Sequence, residues 1–171
     1  MTKEIDKTEI EDAVFSLEKK DVKFIRLQFT DILGIPKDVE ITLDELPKAL
    51  EEGIAFDGSS IEGFARICES DMYLHPDLDT LKIYPWKSMT SEGEEYGNAR
   101  LICDVQMPDG KPFEGDPRYR LRKIQRKAGK KNLKMFVGAE PEFFMFRSNG
   151  EEDLRNSSTA LHDQGGYFDL M

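Results

Sequence analysis

Cysteine and histidine are nearly absent from this sequence, with two of each in 171 residues. Cys68 and Cys103 stand in separate segments, which excludes a disulfide framework as the basis of the fold. They read as reduced thiols of a cytosolic protein. Cys68 lacks the His and Asn signature of a thiol nucleophile, and His75 and His162 lack metal-ligand spacing. No apolar run approaches the ~20 residues of a membrane-spanning helix. The opening Met1-Thr2-Lys3-Glu4-Ile5-Asp6 has neither the apolar centre of a secretory signal nor the Arg-rich character of a transit peptide. Gly63, Gly93 and Gly97 do not form a Walker or Rossmann loop. There is no internal repeat and no low-complexity tract.

Charge is abundant and unevenly placed. Hydrophobic residues make up 39% and charged residues 34%, enough apolar surface for a core and enough charge for solubility. The net charge of −10 is the sum of −13 over residues 1–110 and +3 over 111–171. The acidic part argues against nucleic acid as a partner. The basic excess lies mostly in 118–131, with Arg118, Arg120, Arg122, Lys123, Arg126, Lys127, Lys130 and Lys131. Its ordinary use is a solvated helix face around a narrow apolar stripe, rather than an anion site, and no interleaved aromatics support RNA stacking.

Periodicity predicts a first helix over about 9–20, with Thr8 and Glu11 as a capping box and Ile10, Ala13, Val14 and Leu17 as its apolar stripe. Lys23 to Thr30 alternates as a strand, with Ile25, Leu27 and Phe29 on one face. A turn at Leu33-Gly34-Ile35-Pro36 leads to a second strand carrying Val39, Ile41 and Leu43. Asp44 to Glu52 predicts a short helix stopped by Gly53. A long loop follows, then strands at 81–84 and 99–105 separated by an acidic loop over 91–98. These elements suit an α+β domain with a mixed or antiparallel sheet. Met107 to Pro112 is a turn cluster and the predicted boundary between a unit 1–110 and a unit 111–171. Asp116-Pro117 predicts a helix start, and Leu121, Ile124 and Ala128 its apolar stripe. Lys134 to Phe146 reads as an internal strand, and Tyr167 to Met171 as the beginning of another.

Two segments carry chemistry. In Gly138-Ala139-Glu140-Pro141-Glu142-Phe143-Phe144, a strand places Glu140 and Glu142 on one face, roughly 6–7 Å apart. Apolar neighbours on both faces imply burial, and buried carboxylates require compensation. Mg²⁺ or Mn²⁺ supplies it, and the spacing suits two adjacent ions. A solvated strand end contacting arginines remains open as the alternative. The second segment is Phe56-Asp57-Gly58-Ser59-Ser60, followed by Glu69-Ser70-Asp71. A bare Asp-Gly-Ser-Ser is most often an ordinary turn. Its functional reading is that Asp57 is held out on a loop toward a cation or a substrate ammonium.

Together, Phe56 to Ser60 with Glu69-Ser70-Asp71-Met72-Tyr73-Leu74, and Gly138 to Phe144, resemble type I glutamine synthetase. Thr30-Asp31-Ile32-Leu33-Gly34 resembles that family's hairpin turn, and Phe113-Glu114-Gly115-Asp116-Pro117-Arg118 resembles its junction into the catalytic domain. Ala139 departs from the proline common at that position in the family. The resemblance runs from about residue 8 to 171. It implies a β-grasp N-terminal domain followed by the truncated start of an α+β catalytic domain. The implied reaction joins ammonia to L-glutamate with ATP, through γ-glutamyl phosphate. Glu140 and Glu142 would each bind one divalent ion, Mg²⁺ or Mn²⁺. Asp57 would bind ammonium and assist its deprotonation, with Ser60 beside it, in a neighbouring subunit's site. Arg66, in Phe64-Ala65-Arg66-Ile67, would take part in feedback inhibition by glutamine. The implied parent is a cytoplasmic homo-oligomer, a dodecamer of two hexameric rings, with no nucleic-acid or membrane partner.

Family members are much longer, so the expectation is an enzyme's front portion that is not competent alone. Its nucleotide-site residues are unassigned. Two other readings stay open: a ligase joining glutamate to a different amine, and a non-catalytic β-grasp binding or regulatory module. The intact Asp57-Gly58-Ser59-Ser60 favours ammonia.

Overall fold

The computed structural model describes residues 5–61 and 71–143. The chain divides into two compact units, Met1–Leu133 and Lys134–Met171. The first unit holds every helix and strand found among the described residues.

Helix α1 spans Lys7–Glu18, two residues ahead of the sequence expectation. Asp6, not Thr8, is its N-cap, and Glu9 completes the capping box by accepting from the Asp6 amide at 3.3 Å. Strands β1 (Val22–Thr30) and β2 (Pro36–Thr42) form the predicted hairpin. Ile25, Leu27 and Phe29 are buried as their alternation required. Leu43 leaves the strand and starts a 3-10 turn, Leu43–Glu45, that runs into α2 (Leu46–Glu52). Gly53 ends α2 at φ +78, a conformation costly for any residue with a Cβ.

The expected long loop is partly strand. β3 (Ile54–Asp57) pairs antiparallel with β4 (Asp71–Met89), which pairs antiparallel with β5 (Glu95–Gln106). β4 was legible only at 81–84 because Pro76 and Pro85 interrupt its pattern. Two register slips, between Asp77 and Lys82 and between Ile83 and Lys87, absorb the irregularity. At the first slip the Thr80 hydroxyl accepts from the Ile102 amide at 2.8 Å and donates to the Asp77 carbonyl at 2.6 Å, repairing the ladder. The acidic loop is also shorter than expected, since Thr90 and Glu94 close a tight turn with Gly93 at φ +87.

The sheet order is β2-β1-β5-β4-β3, with β1 and β5 parallel at its centre. One face buries Ile25, Leu27, Leu74, Leu101 and Val105 against α1 and α2, which contribute Leu17, Leu46 and Leu50. Helix α3 (Pro117–Gly129) begins as predicted, with Asp116 as N-cap and Pro117 at the first helical position. It contacts β1 and β5.

In the second unit, the described residues 134–143 form no strand, contrary to expectation. Met135, Phe136, Val137 and Phe143 are 73–82% exposed. A strand exists through its ladder, and among the described residues none pairs with this segment. The strand expected at 167–171 lies outside the described residues. Among the described residues no helix is long and apolar enough to cross a membrane.

Candidate functional site

Asp57 closes β3 and caps the 3-10 turn Gly58–Ser60 that follows. Its Oδ1 accepts from the Ser59 amide at 2.9 Å and the Ser59 hydroxyl at 2.6 Å. A carboxylate held by two local donors keeps one orientation, and Asp57 remains exposed at the surface. Phe56 anchors the turn: its ring meets that of Phe29 with centroids 5.1 Å apart. Asp71 is the register partner of Asp57 across β3 and β4. Ser60 belongs to the same turn. Arg66 lies outside the described residues.

Glu140 and Glu142 flank Pro141 in irregular backbone and are exposed. The burial inferred for them is therefore not found, and among the described residues the apolar neighbours Met135, Phe136, Val137 and Phe143 are exposed as well. Among the described residues no three His, Cys, Asp or Glu side chains gather closely enough to hold a metal ion. The donor set fits a hard divalent cation in kind, as carboxylate oxygen, but two glutamates supply only part of a coordination shell.

A second polar constellation escaped the sequence reading. Asp77 on β4 and Asp104 on β5 lie on the sheet face opposite the apolar core. Arg118 and Arg122, one turn apart on α3, each bridge both carboxylates. Arg118 reaches Asp104 at 2.8 Å and Asp77 at 2.6 Å, and Arg122 reaches Asp77 at 2.6 Å and also bonds Asp104. Two positive and two negative groups, 17–30% exposed, make a closed square. Burial would raise the Asp77 pKa, but the Arg118 hydrogen bond and the charges of Arg118 and Arg122 outweigh it and hold the carboxyl below its ordinary range. Asp116, 1% exposed, accepts from the amides of Val105 and Arg118. Burial still raises its pKa, against the pull of those amides.

The square inverts the expected helix. The basic residues at 118 and 122 face the sheet, while Leu121 and Ile124 are 56% and 65% exposed. The spacing of Arg118 and Arg122 was visible in the sequence. Only the β4–β5 register shows that two carboxylates await them.

Comparison with known proteins decides the family. A model described as the glutamine synthetase β-grasp domain matches residues 21–108, and one described as the glutamine synthetase catalytic domain matches 114–171. The chain belongs to the glutamine synthetase family. It is 52% identical to the Thermotoga maritima glutamine synthetase over 155 residues, 91% of this chain and 34% of that protein. It is 51% identical to glutamine synthetase of Staphylococcus aureus over 156 residues, 90% of this chain and 33% of that one. The chain thus spans about a third of the length of the curated relatives it matches. Among solved structures, a GmaS/ADP complex aligns with a TM-score of 0.60 at 23% identity, covering 69% of this chain and 25% of that one. Plasmodium falciparum glutamine synthetase aligns with a TM-score of 0.59 at 20% identity, covering 76% and 24%. The mixed sheet lies within the segment matched by the β-grasp model, and α3 within that matched by the catalytic-domain model.

Proposed function

We propose that the full-length protein is an ATP-dependent ligase that joins ammonia to the γ-carboxylate of L-glutamate through γ-glutamyl phosphate. The observation that carries this reading is the match to both family models, in order and with Asp57, Glu140 and Glu142 inside the matched segments. Phosphoryl transfer of this type rests on positioning and charge neutralisation rather than on a nucleophile, which suits a carboxylate-rich site. Glu140 and Glu142 would each hold one divalent ion, Mg²⁺ or Mn²⁺, which would neutralise phosphate charge there. Asp57, fixed by Ser59, receives the ammonium and assists loss of its proton before attack on the acyl phosphate, with Ser60 beside it. Asp57 does this in a neighbouring subunit's site, within a homo-oligomer of two hexameric rings in the cytoplasm. Arg66 takes part in feedback inhibition by glutamine. On this reading the architectural boundary falls at 110/111, where the turn cluster separates the grasp from the start of the catalytic domain. The chain of 171 residues is not competent alone, since two glutamates do not complete a metal site.

The test is glutamate-dependent phosphate release by the full-length protein with Mg²⁺ or Mn²⁺. Ammonium should serve at far lower concentration than methylamine or ethanolamine. Preference for a substituted amine would favour the related ligase reading. No turnover with any amine would favour a binding module.

A further inference from the structure

The end of β5 and helix α3 enclose a cleft. Its volume is about 290 Å³, and Asp104, Gly110, Pro112, Tyr119, Arg122 and Arg126 line it. That is the small end of the range for ligand sites. Both walls are built in advance. On one side the chain leaves β5, turns through Gly110 at φ +77 and doubles back. The Met107 amide donates to the Lys111 carbonyl at 2.8 Å, and the Phe113 amide to the Val105 carbonyl at 2.9 Å. Pro112 is bridged to Gln106 and so held beside the strand. On the other side Tyr119, Arg122 and Arg126 recur at intervals of three and four, which sets them along one stripe of α3. Tyr119 is half-buried and its hydroxyl bonds Glu114, so its ring is a fixed part of the wall.

The charges along these walls do not cancel. Asp77 and Asp104 are matched by Arg118 and Arg122 in the square. Arg120 and Lys123 turn to Glu114, and Asp116 is taken up by two amides at the start of α3. Among the described residues Arg126 has no carboxylate partner. Its guanidinium therefore brings one uncompensated positive charge to the cleft, in a chain whose net charge is −10. Arg122 uses Nη1 and Nη2 in the square, which leaves its Nε–H over as a second donor. A guanidinium meets a carboxylate as a planar fork, so carboxylate is the anion these donors suit. A dianion would bring a second negative charge toward Asp104, with no further cation in the lining to offset it. We propose that this cleft binds a small monocarboxylate, with the carboxylate on Arg126 and an apolar body against Tyr119 and Pro112. The assignment uses none of Asp57, Glu140 and Glu142 and goes beyond the ligase reading.

Benzoate is a suitable probe, with benzamide and phenyl phosphate as its neutral and dianionic counterparts. Calorimetric titration of the full-length protein at fixed ionic strength should show benzoate binding. Arg126→Gln should weaken that binding about tenfold or more, the loss expected for one charge-assisted hydrogen bond, and Arg126→Lys should weaken it less. Benzamide and phenyl phosphate should each bind at least about tenfold more weakly than benzoate. Arg126 is exposed and makes no side-chain bond among the described residues, so the Arg126→Gln variant should melt like wild type. In crystals soaked with benzoate, the carboxylate should lie within hydrogen-bond distance of Arg126 and the ring beside Tyr119. No binding to the wild type would overturn the proposal. So would equal binding by Arg126→Gln, benzamide or phenyl phosphate that matches benzoate, or a soaked ligand found only outside the cleft. The readout is binding, so loss of the proposed ligase activity leaves this result standing, and an empty cleft leaves the activity standing.

Discussion

The imidazole of His75 lies directly over the α-carbon of Gly53, so closely that a Cβ at residue 53 would fall 2.8 Å from Nε2. The contact joins the end of α2 to β4. Burial lowers the His75 pKa, and the nearby Asp104 charge recovers only part of the shift.

Gly53→Ala should therefore be costly on two counts. The backbone at φ 78, ψ 173 belongs almost solely to glycine, at roughly 1–3 kcal/mol for other residues. The methyl must also displace the His75 ring. A loss of at least about 2 kcal/mol in urea unfolding is expected, and Gly53→Ala melting like wild type would contradict it.

Acidification should weaken the same joint. A base whose folded pKa lies below its unfolded value binds fewer protons when folded, so stability falls as pH drops through about 6.5. Thermal unfolding between pH 8 and 5 should show this slope, and His75→Gln should flatten it. An unchanged slope in the variant would assign the effect to other groups.

The Asp77–Asp104–Arg118–Arg122 square should fasten α3 to the sheet. Arg118→Ala leaves two carboxylates facing one guanidinium. Allowing for solvent screening of half-buried groups, the cost is roughly 1–2 kcal/mol. Amide exchange in 117–129 should accelerate in the variant and in high salt. Asp77 has a folded pKa below its unfolded value, so its contribution is complete above about pH 4 and is lost as pH falls through the folded value. Asp116, whose pKa is raised, acts in the opposite sense and in the range above: its contribution is complete below about pH 4 and is lost as pH rises through its folded value. Asp77→Asn should remove the acid-labile part, seen as a shallower melting curve against pH below 4.

Glu140→Ala and Glu142→Ala should each lower turnover of the full-length enzyme at least a hundredfold, because single electrostatic contacts to transferring phosphoryl groups contribute roughly 3–4 kcal/mol. Near-wild-type turnover at ordinary metal concentrations would refute their assignment.

Subunit mixing tests the shared site. Asp57→Ala and Glu140→Ala full-length subunits should each be inactive, yet regain activity when co-assembled, since some interfaces then pair two intact partners. No recovery in assemblies proven mixed by mass would place both residues in one subunit's site.

Much of this fold could be read from residue order. The alternation Ile25-Leu27-Phe29, the stop at Gly53 and the start at Asp116-Pro117 are local signals, and each became the expected element. What stayed hidden depends on distant partners. β4 carries two prolines, Pro76 in register with Cys103 and Pro85 inside the second register slip, and only the pairing with β5 reveals it as one strand. The orientation of α3 follows from carboxylates on two strands rather than from its own apolar stripe. At 134–143 the pattern promised a strand, but pattern alone does not supply a ladder. For the site, residue types at Asp57, Glu140 and Glu142 were legible, whereas the opposing Asp71 needed the β3–β4 register.

The sheet order also sets a timetable for synthesis. Among the described residues β2 pairs only with β1, and β3 only with β4, so the described part of the first 94 residues contains two pieces with no ladder between them. β5, last strand of the sheet in the chain, enters between them and joins both. A nascent chain halted before Glu95 therefore exposes the inner edges of β1 and β4, which are sticky to any other unpaired strand. Completion of the sheet therefore waits for Gln106 to leave the ribosome.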